Sequence, residues 1–132
     1  MASLALIPTD TLARIKVLLL KGHPYESACL VLRDWSLVEL TNVARHRQDL
    51  ITPTGKDYDK FVQLLFDDKL FGWAHSHPKW EPRPSGTDLK FHQFPIYMLI
   101  YSNCLDQFRL YSPKDLTDIE LTGIPLLKEL RA

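Results

Sequence analysis

The chain has 132 residues, the size of one compact domain, and its 45% hydrophobic fraction is enough for a real core. Sixteen Lys and Arg balance sixteen Asp and Glu, so the formal net charge is zero and no electrostatic case exists for nucleic acid or an anionic membrane. The start of the chain lacks a charged segment followed by an apolar one, and no apolar run approaches the roughly 20 residues of a membrane-spanning helix, so a soluble, cytoplasmic product is expected.

In chain order, residues 9–21 read as a helix. Thr9 can cap it, Asp10 suits its first turn, and Gly22 and Pro24 follow its end. Leu12, Ile15, Leu18 and Leu19 form a core-facing stripe at helical spacing. Ala28 to Arg33 reads as a short strand, Asp34-Trp35-Ser36 as a turn, and Leu37 to Val43 as a returning strand. Glu26 stands at the mouth of the first strand. Residues 42–52, with Arg45, His46, Arg47 and Asp49, read as a polar, solvated loop. A second helix is expected over Lys56 to Asp68, with Tyr58, Phe61, Val62 and Leu65 on its core face.

Leu70 to His77 reads as the central strand, with Phe71, Trp73, His75 and His77 on one face by parity. A loop stiffened by Pro78, Pro82 and Pro84 follows, carrying Trp80 and Glu81. Ser85 opens a short helix to about Phe94, and His92 shares the face of Asp88. Ile96 to Ser102 and Gln107 to Ser112 read as a hairpin across Asn103-Cys104-Leu105-Asp106. The segment Leu121 to Leu127 is a strand or an extended arm. Cys29 and Cys104 lie far apart, each in or beside an apolar segment. Buried thiols are expected rather than a disulfide, and no Cys-x-x-Cys pair offers a structural zinc site.

The chemistry concentrates at His75-Ser76-His77. Histidines at i and i+2 on a strand point the same way. Asp88 follows His77 after ten residues. Two imidazoles and a carboxylate make a three-ligand set that leaves a fourth tetrahedral position open, which distinguishes a catalytic zinc site from a structural one. Ser85-x-x-Asp88 is also a helix-capping pattern, and one carboxylate has lone pairs for both roles.

The string His-x-His, seven residues, Ser85, two residues, Asp88 resembles the zinc motif of the JAMM (MPN-plus) metallopeptidases, with Glu26 as the upstream Glu. The resemblance covers about residues 9–113. It departs from the family pattern where Ala28 and Cys29 stand in place of Cys-Gly. It implies a single JAMM/MPN domain over residues 1–132, with a core of about 9–113 and a C-terminal arm of 114–132. The implied fold is α/β and cytidine-deaminase-like: a mixed, curved β-sheet with helices on both sides. The implied site holds one Zn2+ on His75, His77 and Asp88. Glu26 is the implied general base and then acid, and Ser85 the donor to the oxyanion.

The implied reaction is hydrolysis of a peptide or isopeptide bond in a protein or peptide substrate, such as a ubiquitin-like tail or a sulfur-carrier-like protein. Members of this family also occur in phage tail-assembly proteins. The small size and the terminal Pro125-Leu126-Leu127 resemble that branch somewhat, which would make the chain virion-associated and its substrate a phage or cell-wall component. Two further readings stay open, a metal-free MPN scaffold and a tail component serving mainly as an interaction module.

Overall fold

A computed structural model describes residues 4–21, 27–40, 55–77, 79, 81–84, 95–113 and 117–122. Seven strands and two helices are defined among them, in the order β1 (Leu4–Leu6), α1 (Thr9–Leu20), β2 (Ala28–Leu32), β3 (Leu37–Leu40), α2 (Gly55–Phe66), β4 (Leu70–His77), β5 (Tyr97–Ser102), β6 (Gln107–Tyr111) and β7 (Asp118–Thr122). The strands form one sheet in the order β1-β7-β6-β5-β4-β2-β3. The β4–β5 and β1–β7 pairs are parallel and the other four antiparallel. This is the mixed sheet expected, with β4 held between β2 and β5.

Side-chain alternation along the strands builds two cores, one per face. On the first face Leu12, Ile15 and Leu19 of α1 pack with Cys29, Val31, Ala74, Leu99, Tyr101 and Leu110. On the second face Phe61 and Leu64 of α2 pack with Leu30, Trp73, Met98 and Ile100. One helix therefore covers each face, as the α/β reading requires. Each fully buried Leu or Ile contributes roughly 1.5–3 kcal/mol over exposure, so the α1 stripe alone fixes that helix on the sheet.

Helix α1 follows the expected span, but its N-cap is Pro8 and no side chain caps it; Thr9 is already helical. The Pro8 carbonyl accepts the Leu12 N–H at 3.1 Å, and proline's fixed φ suits an entry at this point. Lys16 was not part of the apolar stripe, yet it is buried, with Nζ 3.0 Å from Asp106 Oδ1. The Tyr101 hydroxyl donates to the same carboxylate oxygen, so the buried ammonium sits on an oriented partner. In α2 the core face centres on Phe61 and Leu64, with Val62 and Leu65 at its margin. Tyr58 is exposed, which corrects the expected face by about a quarter turn.

The β5–β6 hairpin and its turn form as read, with Asp106 at φ 51°. The 34–36 turn also forms, with Trp35 at φ 68°. Strand β1 was not anticipated. It pairs with β7, whose Ile119 and Leu121 join the α1-face core, so residues on both flanks of the 9–113 stretch enter the sheet. The reading of Cys29 as a buried thiol holds. Cys104 is exposed in the hairpin turn, contrary to expectation, and neither cysteine is in a disulfide.

One face assignment in β4 is also corrected. Val31 pairs with Gly72 but Leu32 pairs with Leu70, so Phe71 is an extra residue in β4, a β-bulge. The bulge flips parity at this point. Phe71 lies on the α1 face, stacked on Tyr97 at 4.7 Å and tilted against Trp35 at 5.1 Å, while Trp73, His75 and His77 keep the α2 face.

Candidate metal centre

His75 and His77 end the central strand, and both are buried. His75 stacks flat on Trp73, centroids 4.2 Å apart at 12°, so the indole sets the plane of its ring. The two imidazoles meet edge to face with centroids 5.0 Å apart. Two rings sharing one tetrahedral ion, with metal–nitrogen bonds of about 2.0–2.1 Å, need a centroid spacing of roughly 5 Å. The parity reading of the His-x-His pair is therefore realised in a geometry that suits a shared cation.

The ring of His77 is oriented from behind. Its Nδ1 lies 3.0 Å from the carbonyl oxygen of Glu81. A carbonyl can only accept, so Nδ1 carries the proton, and in the neutral ring Nε2 then holds the lone pair. Metal-binding histidines commonly make such an outer hydrogen bond, which fixes tautomer and direction together. The chemistry of this donor pair fits zinc.

Backbone contacts hold the strand end on both sides. The Ser76 N–H donates to the Ser27 carbonyl at 3.0 Å, and the Ser27 N–H donates to Ser76 Oγ at 2.9 Å. The Asn103 N–H donates to the His77 carbonyl at 3.2 Å. Beyond the strand, the Glu81 carbonyl also accepts the Arg83 N–H at 2.8 Å, and the Glu81 and Arg83 side chains pair at 2.6 Å. The buried Tyr111 hydroxyl donates to the Pro82 carbonyl at 2.7 Å, tying this loop back to β6.

The structure thus brings two of the five expected site residues together. Glu26, Ser85 and Asp88 lie outside the described residues, as do the short helix from Ser85, Trp80, His92 and the 42–52 loop. Among the described residues no group of three His, Cys, Asp or Glu side chains converges. Cys29 is no substitute ligand. It lies on the opposite face, and burial, with the nearby Glu39 charge, pushes its thiol up to about 12. Ser76, Glu81 and Tyr111 were not read as supports of the site. Ser76 could have been found from parity, since the residue between two same-face histidines must point to the other side of the sheet. Tyr111 left no local trace, because its partner is 29 residues away.

No family model matches the chain, and a search of curated proteins found no match. Solved structures do. A JAB1/MPN domain protein from Archaeoglobus fulgidus superposes with a TM-score of 0.57 at 24% identity, covering 92% of this chain and 98% of that one. A protein from Desulfitobacterium hafniense matches with a TM-score of 0.62 at 19% identity, covering 92% and 91%. One from Salinibacter ruber matches with a TM-score of 0.57 at 22% identity, covering 92% and 90%. The chain has the JAB1/MPN fold.

Proposed function

We propose that the chain is a zinc-dependent metallopeptidase that hydrolyses a peptide or isopeptide bond. The observation that carries this reading is the pair of buried imidazoles on one face of the central strand of a JAB1/MPN fold, one of them oriented through Nδ1 by a backbone carbonyl. His75 and His77 would hold the ion with Asp88 as third ligand. A zinc ion so held supplies a Lewis acid and makes hydroxide available near neutral pH.

The chain's own residues do the rest. The β2–β4 register pairs Ala28 with His75. Glu26 stands two residues before Ala28 in the sequence, which supports giving it the proton work. Glu26 takes a proton from the attacking water and delivers it to the leaving amine. Ser85 donates to the developing oxyanion. The substrate class is a protein or peptide presenting an amide to this end of β4.

Elemental analysis and a cleavage assay test the reading together. Purified protein should carry one zinc per chain, and Asp88→Ala should lose it while Ser85→Ala keeps it. Glu26→Gln should retain zinc and stability yet lose about a hundred- to ten-thousand-fold in turnover, since the amide keeps the shape but cannot take the proton. Protein that neither contains nor takes up zinc would defeat the proposal and leave a metal-free scaffold. Near-normal cleavage by Glu26→Gln would instead remove only Glu26 from its role.

A further inference from the structure

We infer that Tyr111 is a positioning residue for the metal centre, acting through the loop that orients His77. This rests on the metal-site reading above for its consequence, but its geometry lies wholly within described residues. Tyr111 ends β6, two strands away from β4, and its side chain is buried on the histidine face. Its hydroxyl donates to the Pro82 carbonyl at 2.7 Å, a buried hydrogen bond. The carbonyl one residue earlier, that of Glu81, accepts from His77 Nδ1 at 3.0 Å. Adjacent peptide planes in this loop are thus fixed from two sides, one by β6 and one by the histidine itself.

The relay has a defined direction. A phenol that titrated could not donate reliably, but burial and the nearby Asp118 charge push the Tyr111 hydroxyl above its ordinary value, so it stays a donor. The Arg83 N–H on the Glu81 carbonyl closes the same turn at 2.8 Å. Without the Tyr111 hydroxyl, a buried Pro82 carbonyl loses its partner and the loop must shift to rehydrate it. The Glu81 carbonyl moves with it, and the proton on His77 is then no longer confined to Nδ1. The lone pair at Nε2, and with it the direction of the ligand, becomes one of two tautomeric arrangements.

The test is Tyr111→Phe, which removes one oxygen and leaves the ring, with Tyr101→Phe as control. The control deletes another tyrosine hydroxyl, one that donates to Asp106 on the opposite face. Two measurements are made on each protein. Zinc affinity is read by chelator competition, with the visible spectrum of the cobalt-substituted form as a geometric signature. The tautomer of His77 is read in the metal-free protein from imidazole nitrogen chemical shifts. Tyr111→Phe should weaken zinc binding about tenfold, alter the cobalt spectrum, and convert His77 from a single Nδ1-protonated tautomer to a mixture. Tyr101→Phe should lower stability without any of these changes.

A Tyr111→Phe protein with parental zinc affinity and an unchanged His77 tautomer overturns the inference. So does an equal loss of affinity in both variants, which would mark general loosening. If the parent binds no zinc, the metallopeptidase reading falls, and the tautomer measurement still decides whether Tyr111 orients His77.

Discussion

An imidazole buried in a sheet core is unremarkable when it only packs, and His75 taken singly could be such a residue. What sets it apart is company: a flat stack on Trp73 that fixes its plane, and a second buried imidazole 5.0 Å away on the same face. Cys29 shows the opposite outcome on the other side of the sheet. It pairs with Ala74, the neighbour of His75, yet its thiol is pushed from 9.0 to about 12 by burial and the Glu39 charge. A thiol this reluctant to ionise is neither ligand nor nucleophile. It makes a stability prediction instead. The folded state holds the Cys29 proton to higher pH than the unfolded state does, so its contribution is fully present below about pH 9 and is lost as pH rises towards 12. At about pH 10.5 the loss should reach about 2 kcal/mol. Urea midpoints measured across this range should fall more steeply for the parent than for Cys29→Ala, which is less stable at neutral pH but lacks this alkaline limb. Parallel slopes would show that Cys29 does not titrate as its burial requires.

Strand β4 is the element that carries the site, and its geometry depends on a glycine. A Cβ on Gly72 would lie 2.9 Å from the carbonyl carbon of Tyr97 and closer still to its oxygen, in the backbone of β5. Gly72 also borders the bulge at Phe71, after which Trp73, His75 and His77 keep to one face. Gly72→Ala should therefore part β4 from β5 and cost about 1–3 kcal/mol, the usual range for overpacking, read as a lower denaturant midpoint. An unchanged midpoint would mean the two strands are not held as closely as this. The same strand shows what the sequence could and could not tell. Its span, Leu70 to His77, and the shared face of the histidines followed from alternation alone. The bulge did not, because parity counting assumes one residue per partner, and Phe71 has none on β2. Likewise α2 followed from periodicity, but which side of it faces the sheet depends on a docking angle no local pattern encodes, so Tyr58 was misplaced. Strand β1 was missed because three residues paired in parallel with a strand more than a hundred positions away leave no local signature. The zinc motif itself was legible only by resemblance. Spacing offered two histidines and a carboxylate, and the structure describes the histidines.

At the scale of the whole molecule the histidine pair sits at a junction. β2 is fastened to β4 through Ser27 and Ser76, β5 through Asn103 and His77, and β6 through Tyr111 and the proline loop. A cation held at this junction by His75, His77 and Asp88 would close a loop between β4 and the segment beyond Pro84. Binding should then appear as global stability, because the unfolded chain offers no preformed site. For an ion at a hundred times its dissociation constant the gain is about 2.7 kcal/mol. For a domain of this length that corresponds to a rise in Tm of roughly 10 °C. The measurement is a thermal melt of metal-free protein against protein with added zinc, repeated with a chelator and with magnesium. Zinc should raise Tm and the chelator should reverse it. Magnesium should do little, since it favours oxygen ligands over imidazole. The same melts on His77→Ala should show no zinc response, although its metal-free Tm will differ from the parent's for packing reasons alone. A parent Tm indifferent to zinc and chelator would mean that the two histidines are core packing and that the JAB1/MPN fold serves here without a metal.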